Sequence, residues 1–425
     1  MTPGFPGHKK FKILGADNRP LLCYTKKDYK QKYVKEVFPL KYWFGYLCAA
    51  IIGGIIWVFQ QFGERFATLV DMVYPYVIRT VQGFLAQWSG SVDFLVWQML
   101  AVALAVVVLA SLVAVLVLRR SLIAWGGWVL TALSFVYLLH TMVWGLNYHA
   151  GPISDDLRMD VAQYTLEELA EATEYYRDRA NILSQQMDRD GNGNLAYPDF
   201  DTMANRAGMG FQNLVYQRSY PIFAGSTLPV KKLGWADMYT SMGITGVTFG
   251  ITGEAAVNPQ IPVVLQPFTM CHETAHRMCI ASERDANFAA FLACSVHPDV
   301  EFEYSAYFMA YRYCYNALAS INTVDAVTFA AEIQKDVSES LQRDITAYNS
   351  FFSSHKDETA TRLADSANDT YLRTSGESSG IASYSQVCDL LVNWHLQEVV
   401  LPEISVEENL FDPYDETQVD ISDIR

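Results

Sequence analysis

Residues Phe94–Leu118, FLVWQMLAVALAVVVLASLVAVLVL, carry no charged side chain. A helix needs about 20 such residues to cross the hydrocarbon of a bilayer. Two further runs are long enough, Tyr42–Gln60 (YWFGYLCAAIIGGIIWVFQ) and Leu122–Leu146 (LIAWGGWVLTALSFVYLLHTMVWGL). A hairpin inside a large soluble core would have to hide three such runs at once, so the region 42–150 reads as a membrane anchor of three transmembrane helices. Tyr42, Trp43, Trp97 and Trp144 stand near run ends, where amphipathic rings favour the interface.

The polar segments set the expected orientation. Residues 1–41 hold ten Lys and Arg against three acids, a net of +7, and the link between the second and third runs is Arg119-Arg120-Ser121. Both segments are expected on the cytoplasmic side. The basic leader is long and no small-residue cleavage site follows, so the first run is expected to be a retained anchor. Three crossings then place residues 151–425 outside a cell membrane, as the extracellular domain of a multi-pass protein. That part has 17 basic and 40 acidic residues, a net of −23. Such a charge repels nucleic acid, which is excluded as a partner. The lipid bilayer is the expected partner of the anchor. Five cysteines (Cys271, Cys279, Cys294, Cys314, Cys388) fall in the outer part. With an odd count and no CxxC spacing, they do not read as a disulfide framework.

The outer part reads as mainly α. Asp155–Met187 has helical periodicity, and Lys231–Gln266 has the Gly, Thr and Val texture of short strands. Helices resume after Pro267. Residues 354–380 are polar and read as a surface loop, and SYSQVCDLLVNWHLQEVV as a last helix.

Inside the first of the resumed helices lies TMCHETAHRM. Residues i and i+4 share a helix face, so His272 and His276 can present imidazole nitrogens to one zinc ion. Glu273, one position round, can reach a water on that metal and take its proton. A catalytic zinc needs a third protein ligand and an open position. Glu283 opens the next helix and is the candidate; the alternative is a helix-start carboxylate favoured by the dipole. Asp285 is expected to form a capping box with Ser282, and Asn287 to orient a ligand histidine from behind. Gly250–Leu265 is the expected edge strand along the cleft. Glu254 within it serves either substrate or a turn. Tyr384 and His395 are candidates for stabilising an oxyanion, Tyr384 being preferred. His297 reads as a helix-end residue.

A second metal loop is expected at 188–199. Asp188, Asp190, Asn192, Asn194 and Asp199 follow EF-hand spacing, with Gly193 at the turn position, and would take calcium; the alternative is a surface turn rich in Asp, Asn and Gly.

The blocks GITGEAAVN, PFTMCHETAH, SERDANFAAFLAC and SYSQVCDLL, in that order, resemble those of a bacterial membrane-protein family labelled as a domain of unknown function, number 3810. HExxH followed by ExxxN also resembles gluzincin-type metallopeptidases. That resemblance implies a zincin-like fold and makes Glu283 the third zinc ligand; Asn287 stands where many gluzincins have Asp. The expected whole is α+β and mainly α: three N-terminal transmembrane helices, then a helical zincin-like domain with a small edge sheet. The expected activity is zinc-dependent hydrolysis of a peptide or protein substrate. The rivals are a non-catalytic ectodomain, a sensor or scaffold with a structural metal, and a hydrolase of cell-wall amides.

Overall fold

The computed structural model describes residues 40–377 and 386–400. The chain divides into two compact units, Met1–Gly53 with Val107–Phe135, and Gly54–Val106 with Val136–Arg425.

Three helices are long and apolar enough to cross a membrane: α1 (Leu40–Arg65), α3 (Val96–Val117) and α4 (Leu122–Val143). They carry the three apolar runs of the sequence. In the first unit, small residues let α1 and α4 approach closely. A Cβ on Gly45 would lie 2.7 Å from the Trp128 amide nitrogen, and Thr131 Oγ1 donates to the Gly45 carbonyl at 2.7 Å.

The second unit contains a helix that the hydropathy reading left inside the membrane region, α2 (Ala67–Ser89). Pro75 sits within it, and it is too polar to count among the candidate spans. After a short α5 (Ile153–Leu157) the chain runs extended to α6 (Leu166–Gln186). The single helix expected over 155–187 is therefore two. The reason is a capping box: Thr165 Oγ1 accepts the Glu168 N–H at 3.1 Å, and Glu168 Oε2 accepts the Thr165 N–H at 2.6 Å.

Next come α7 (Phe200–Arg206), α8 (Gly208–Arg218), β1 (Lys231–Lys232), α9 (Ala236–Ser241), β2 (Gly246–Phe249) and β3 (Glu254–Val257). The sheet order is β1-β3-β2, with β2 antiparallel to β3 and β1 parallel to it. The edge strands are thus β1 and β2, of which Gly246–Phe249 is the one on the side of the HExxH helix. The segment Gly250–Leu265, expected at the edge, instead supplies the central strand, whose four residues are all buried.

The remaining elements are α10 (Gln266–Arg277), α11 (Glu283–Ser295), α12 (Val300–Ser320), α13 (Val324–Lys335), α14 (Glu339–His355), α15 (Glu358–Ser375) and α16 (Val387–His395). The aromatic-rich segment becomes α12, and its Phe302, Tyr304, Phe308 and Tyr311 are fully buried with Tyr176 and Phe291 in the main core. The helix α15 corrects the expected loop over 354–380. Asp357 caps it by accepting the Ala360 N–H at 2.8 Å. Apart from Tyr371 and Leu372, its shielded positions, among them Thr361, Ala364, Asn368 and Ser375, are small or polar. A search for apolar periodicity passes over such a face.

Candidate metal centre

Helix α10 starts on Pro267 in its first turn, where a missing N–H costs nothing. Every one of its residues is buried. The rings of His272 and His276 meet edge to face, centroids 4.6 Å apart. Beyond the helix, Cys279 takes a left-handed backbone conformation (φ 72°) and turns the chain back. The Ile280 carbonyl then lies 2.8 Å from His276 Nδ1. That bond places the proton on Nδ1 and leaves Nε2 free as a ligand atom.

Three residues later Glu283 opens α11, and its Oε2 stands 3.2 Å from His272 Nε2 and 3.4 Å from His276 Nε2. These are close approaches without hydrogen-bond alignment: buried Oε2 has no hydrogen-bond partner. Three ligand atoms within 4.8 Å of one another therefore converge on a common point, the one such His, Cys, Asp and Glu group among the described residues. Two imidazoles and a carboxylate with an open side is the donor set that zinc takes in hydrolytic sites.

The electrostatics ask for a cation at that point. Burial would raise the Glu283 pKa, yet His276 and His272 hold it far below the carboxylate range. Burial disfavours a charged His276, but Glu283 outweighs it and holds the imidazole up, to about 9. Glu273 is pushed the other way from Glu283. Burial raises its pKa, offset in part by the two histidines and by Thr248.

Thr248 comes from edge strand β2. Its Oγ1 lies 2.8 Å from Glu273 Oε2 and 2.9 Å from the Glu273 carbonyl oxygen. Gly246, two residues earlier and so on the same face, packs its backbone on the Glu273 side chain; a Cβ there would stand 2.7 Å from Glu273 Cγ. These residues open into a cavity of about 450 Å3. Its other walls are Trp144 and Tyr148, directly after α4, and Asp365, Asn368 and Tyr371 of α15. Trp144, expected in an interfacial belt, is buried with its ring edge-on to His276, 6.2 Å between centroids.

Several sequence expectations need correction. Ser282 makes no side-chain cap bond to α11. Asp285 instead accepts the Ile153 N–H at 3.0 Å and Arg284 Nε at 2.9 Å, joining α5 to α11. Asn287 is buried, but its partner is Tyr313, whose hydroxyl donates to Oδ1 at 3.3 Å. The Nδ1 of His272 has no hydrogen-bond partner, so Asn287 does not orient it here. Glu254 faces neither substrate nor a turn alone. It caps α3, accepting the Val96 and Trp97 N–H groups, each at 2.9 Å, and pairs with Lys231 at 2.7 Å. His297 bonds the Arg206 carbonyl and the Asp299 N–H, and His395 packs on Tyr175 and Tyr176; neither lines the cavity. Tyr384 lies outside the described residues.

In the 188–199 loop, Asp190 accepts the N–H groups of Asn192 and Asn194 and the Asn194 side-chain amide. Asp199 caps α7 through the N–H groups of Asp201 and Thr202. The carboxylates of Asp188, Asp190 and Asp199 are not gathered into a metal-binding group. Reasoning from sequence missed Gly246, Thr248, Trp144, Tyr148 and Tyr371. The alternation in GVTF held a signal for the first two, since Gly246 and Thr248 share one strand face.

A family model described as "Protein of unknown function (DUF3810)" matches residues 71–392. No curated protein matches the chain, and no solved structure does.

Proposed function

We propose that this chain, which belongs to the DUF3810 family, is a membrane-anchored zinc peptidase of zincin type. In this reading His272, His276 and Glu283 hold the metal and Glu273 is the general base. The observation that carries the reading is the convergence of Glu283, from a second helix, on both HExxH imidazoles. A structural site would have no use for a separate buried carboxylate one residue from its first ligand.

Zinc bound there supplies a Lewis acid for the substrate carbonyl and lowers the pKa of water toward 7. Glu273, its pKa raised by burial, takes the water proton and hands it to the leaving amine. Thr248 steadies its Oε2 and Gly246 leaves it room. The outer edge of β2 offers unpaired backbone groups to an extended peptide, the mode of strand addition. Trp144 and Tyr371 wall the cavity beside it. The +7 tail and Arg119-Arg120 support a catalytic unit outside the cell in this reading. Protease added to intact cells should then remove it.

The test uses the full chain in detergent, with metal content by mass spectrometry and cleavage of a peptide library. Glu273→Gln should keep zinc and lose cleavage by about 100-fold or more. Glu283→Ala should lose zinc, because two histidines hold it weakly in an open site. Zinc retained in Glu283→Ala overturns the ligand set. Normal zinc in all variants with no peptide cut by the parent favours the non-catalytic ectodomain.

A further inference from the structure

Helix α2 is flanked on both sides by helices long and apolar enough to cross a membrane. Only Phe66 separates it from α1, and six residues separate it from α3. Its 23 residues span about 34 Å at 1.5 Å per residue. One face is docked on the metal-bearing unit. Arg79 Nε donates to the Met278 carbonyl at 3.1 Å, at the end of α10. Gln82 Nε2 donates to Val143 O at 2.9 Å and Gly250 O at 2.8 Å, and Tyr74 donates to Met142 O at 2.8 Å. The last carbonyls of α4 are thereby satisfied by α2, which fixes α2 at the level where α4 ends.

The opposite face has no such partner among the described residues. Leu69, Val73, Val77, Phe84 and Trp88 recur every three to four residues or a multiple of that, and all are exposed, Phe84 by 75%. Thr80 completes the row and returns its hydroxyl to the Tyr76 carbonyl. The only charged residues of the helix, Asp71 and Arg79, turn to the other side: Asp71 accepts the Gly151 N–H, and Arg79 is buried. A face this apolar is costly in water, and the helices on both sides of it are long and apolar enough to cross a membrane.

We propose that α2 lies in the membrane interface, parallel to the bilayer plane, with the Leu69–Trp88 face inserted at the boundary of headgroups and acyl chains. Helices of this kind bury an apolar face about 5–10 Å deep. The occupant of the face is lipid. The metal cavity then opens close to the membrane surface, since Trp144 and Tyr148 in its wall follow α4 at once.

The test is spin-label accessibility in the full chain, reconstituted in phosphatidylcholine–phosphatidylglycerol vesicles. Cys23 and Cys48 are replaced by Ser, and the other five cysteines are buried. A nitroxide is placed by Val73→Cys, Val77→Cys or Phe84→Cys, with Tyr216→Cys on an exposed site of α8 as the aqueous reference. At the three α2 sites, collisions with oxygen should exceed those with a water-soluble nickel complex, and at 216 the order should reverse. Each variant must unfold at the parental temperature, which these exposed positions permit; one that fails is read through the other two. Labels on α2 that meet the nickel complex as readily as the one at 216 overturn the proposal. So do immobilised labels that neither collider reaches, which would mean a protein partner on the face.

Discussion

Glu254 is 2% exposed and accepts four hydrogen bonds: the N–H groups of Val96 and Trp97, the Thr252 hydroxyl, and Lys231 Nζ. Glu254→Ala would leave two N–H groups at the start of α3 without acceptors and strand a largely buried ammonium. Lys231 would keep only the Ser89 and Phe94 carbonyls. Breaking a buried ion pair from one side costs about 3–5 kcal/mol. At about 2–4 °C per kcal/mol, the unfolding midpoint should fall by roughly 10 °C. The assay is thermal unfolding of the full chain in detergent, followed by tryptophan fluorescence. The double variant Glu254→Gln with Lys231→Met should lose much less, because it keeps one acceptor and removes the stranded charge. The refuting result is specific. If Glu254→Ala unfolds at the parental temperature while peptide cleavage is lost, the carboxylate serves the substrate and not the fold.

Asp285→Ala should cost about 1–3 kcal/mol, since the buried Ile153 N–H loses its acceptor, and should retain zinc; metal analysis showing an empty site would make Asp285 the ligand. Gly246→Ala must push the Glu273 side chain aside, so cleavage should fall by about 100-fold with zinc content and unfolding temperature near the parent's; unchanged turnover would remove Glu273 from the chemistry. Burial lowers the His395 pKa from its ordinary 6.5 to about 4. The unfolded chain therefore binds an extra proton between those values, and stability present above pH 6.5 is lost as pH falls toward 4. His395→Phe keeps the ring on Tyr175 and should recover roughly 2 kcal/mol at pH 4, once solvent screening is allowed for. Parallel stability–pH curves for parent and variant would refute this.

The His272, His276 and Glu283 cluster was legible because its relation is local: two histidines one turn apart, and a carboxylate at the start of the next helix. The three candidate spans were legible because composition alone marks them. What was not legible depended on partners far away in sequence. Glu254 meets Val96 across 158 positions and Asp285 meets Ile153 across 132. Nothing near either residue hints at that use. Helix α2 was hidden differently, since an exposed apolar row and a mixed buried row together give no polar face to find. The wall residue Trp144 carried an interfacial signature that is equally the signature of a buried aromatic.

The same long-range contacts decide what can be cut away. The second compact unit includes Gly54–Val106 and Val136–Ala150 as well as the later helices, so a cut at 150/151 passes through it. An excised 151–425 fragment loses Trp144 and Tyr148 from the cavity, the Arg79 bond to the end of α10, and the α3 amides held by Glu254. It also uncovers the surfaces that Val70, Ile78, Trp144 and Leu146 bury. At about 1.5–3 kcal/mol per side chain, these four alone approach the whole net stability of an ordinary domain, about 5–15 kcal/mol. The fragment is therefore expected to lack a cooperative unfolding transition, while a fragment starting at Gly54 in detergent keeps one. A 151–425 fragment that unfolds cooperatively at the parental temperature and holds one zinc would show that α2 and the end of α4 are attachments rather than parts of the unit that carries the His272, His276 and Glu283 cluster.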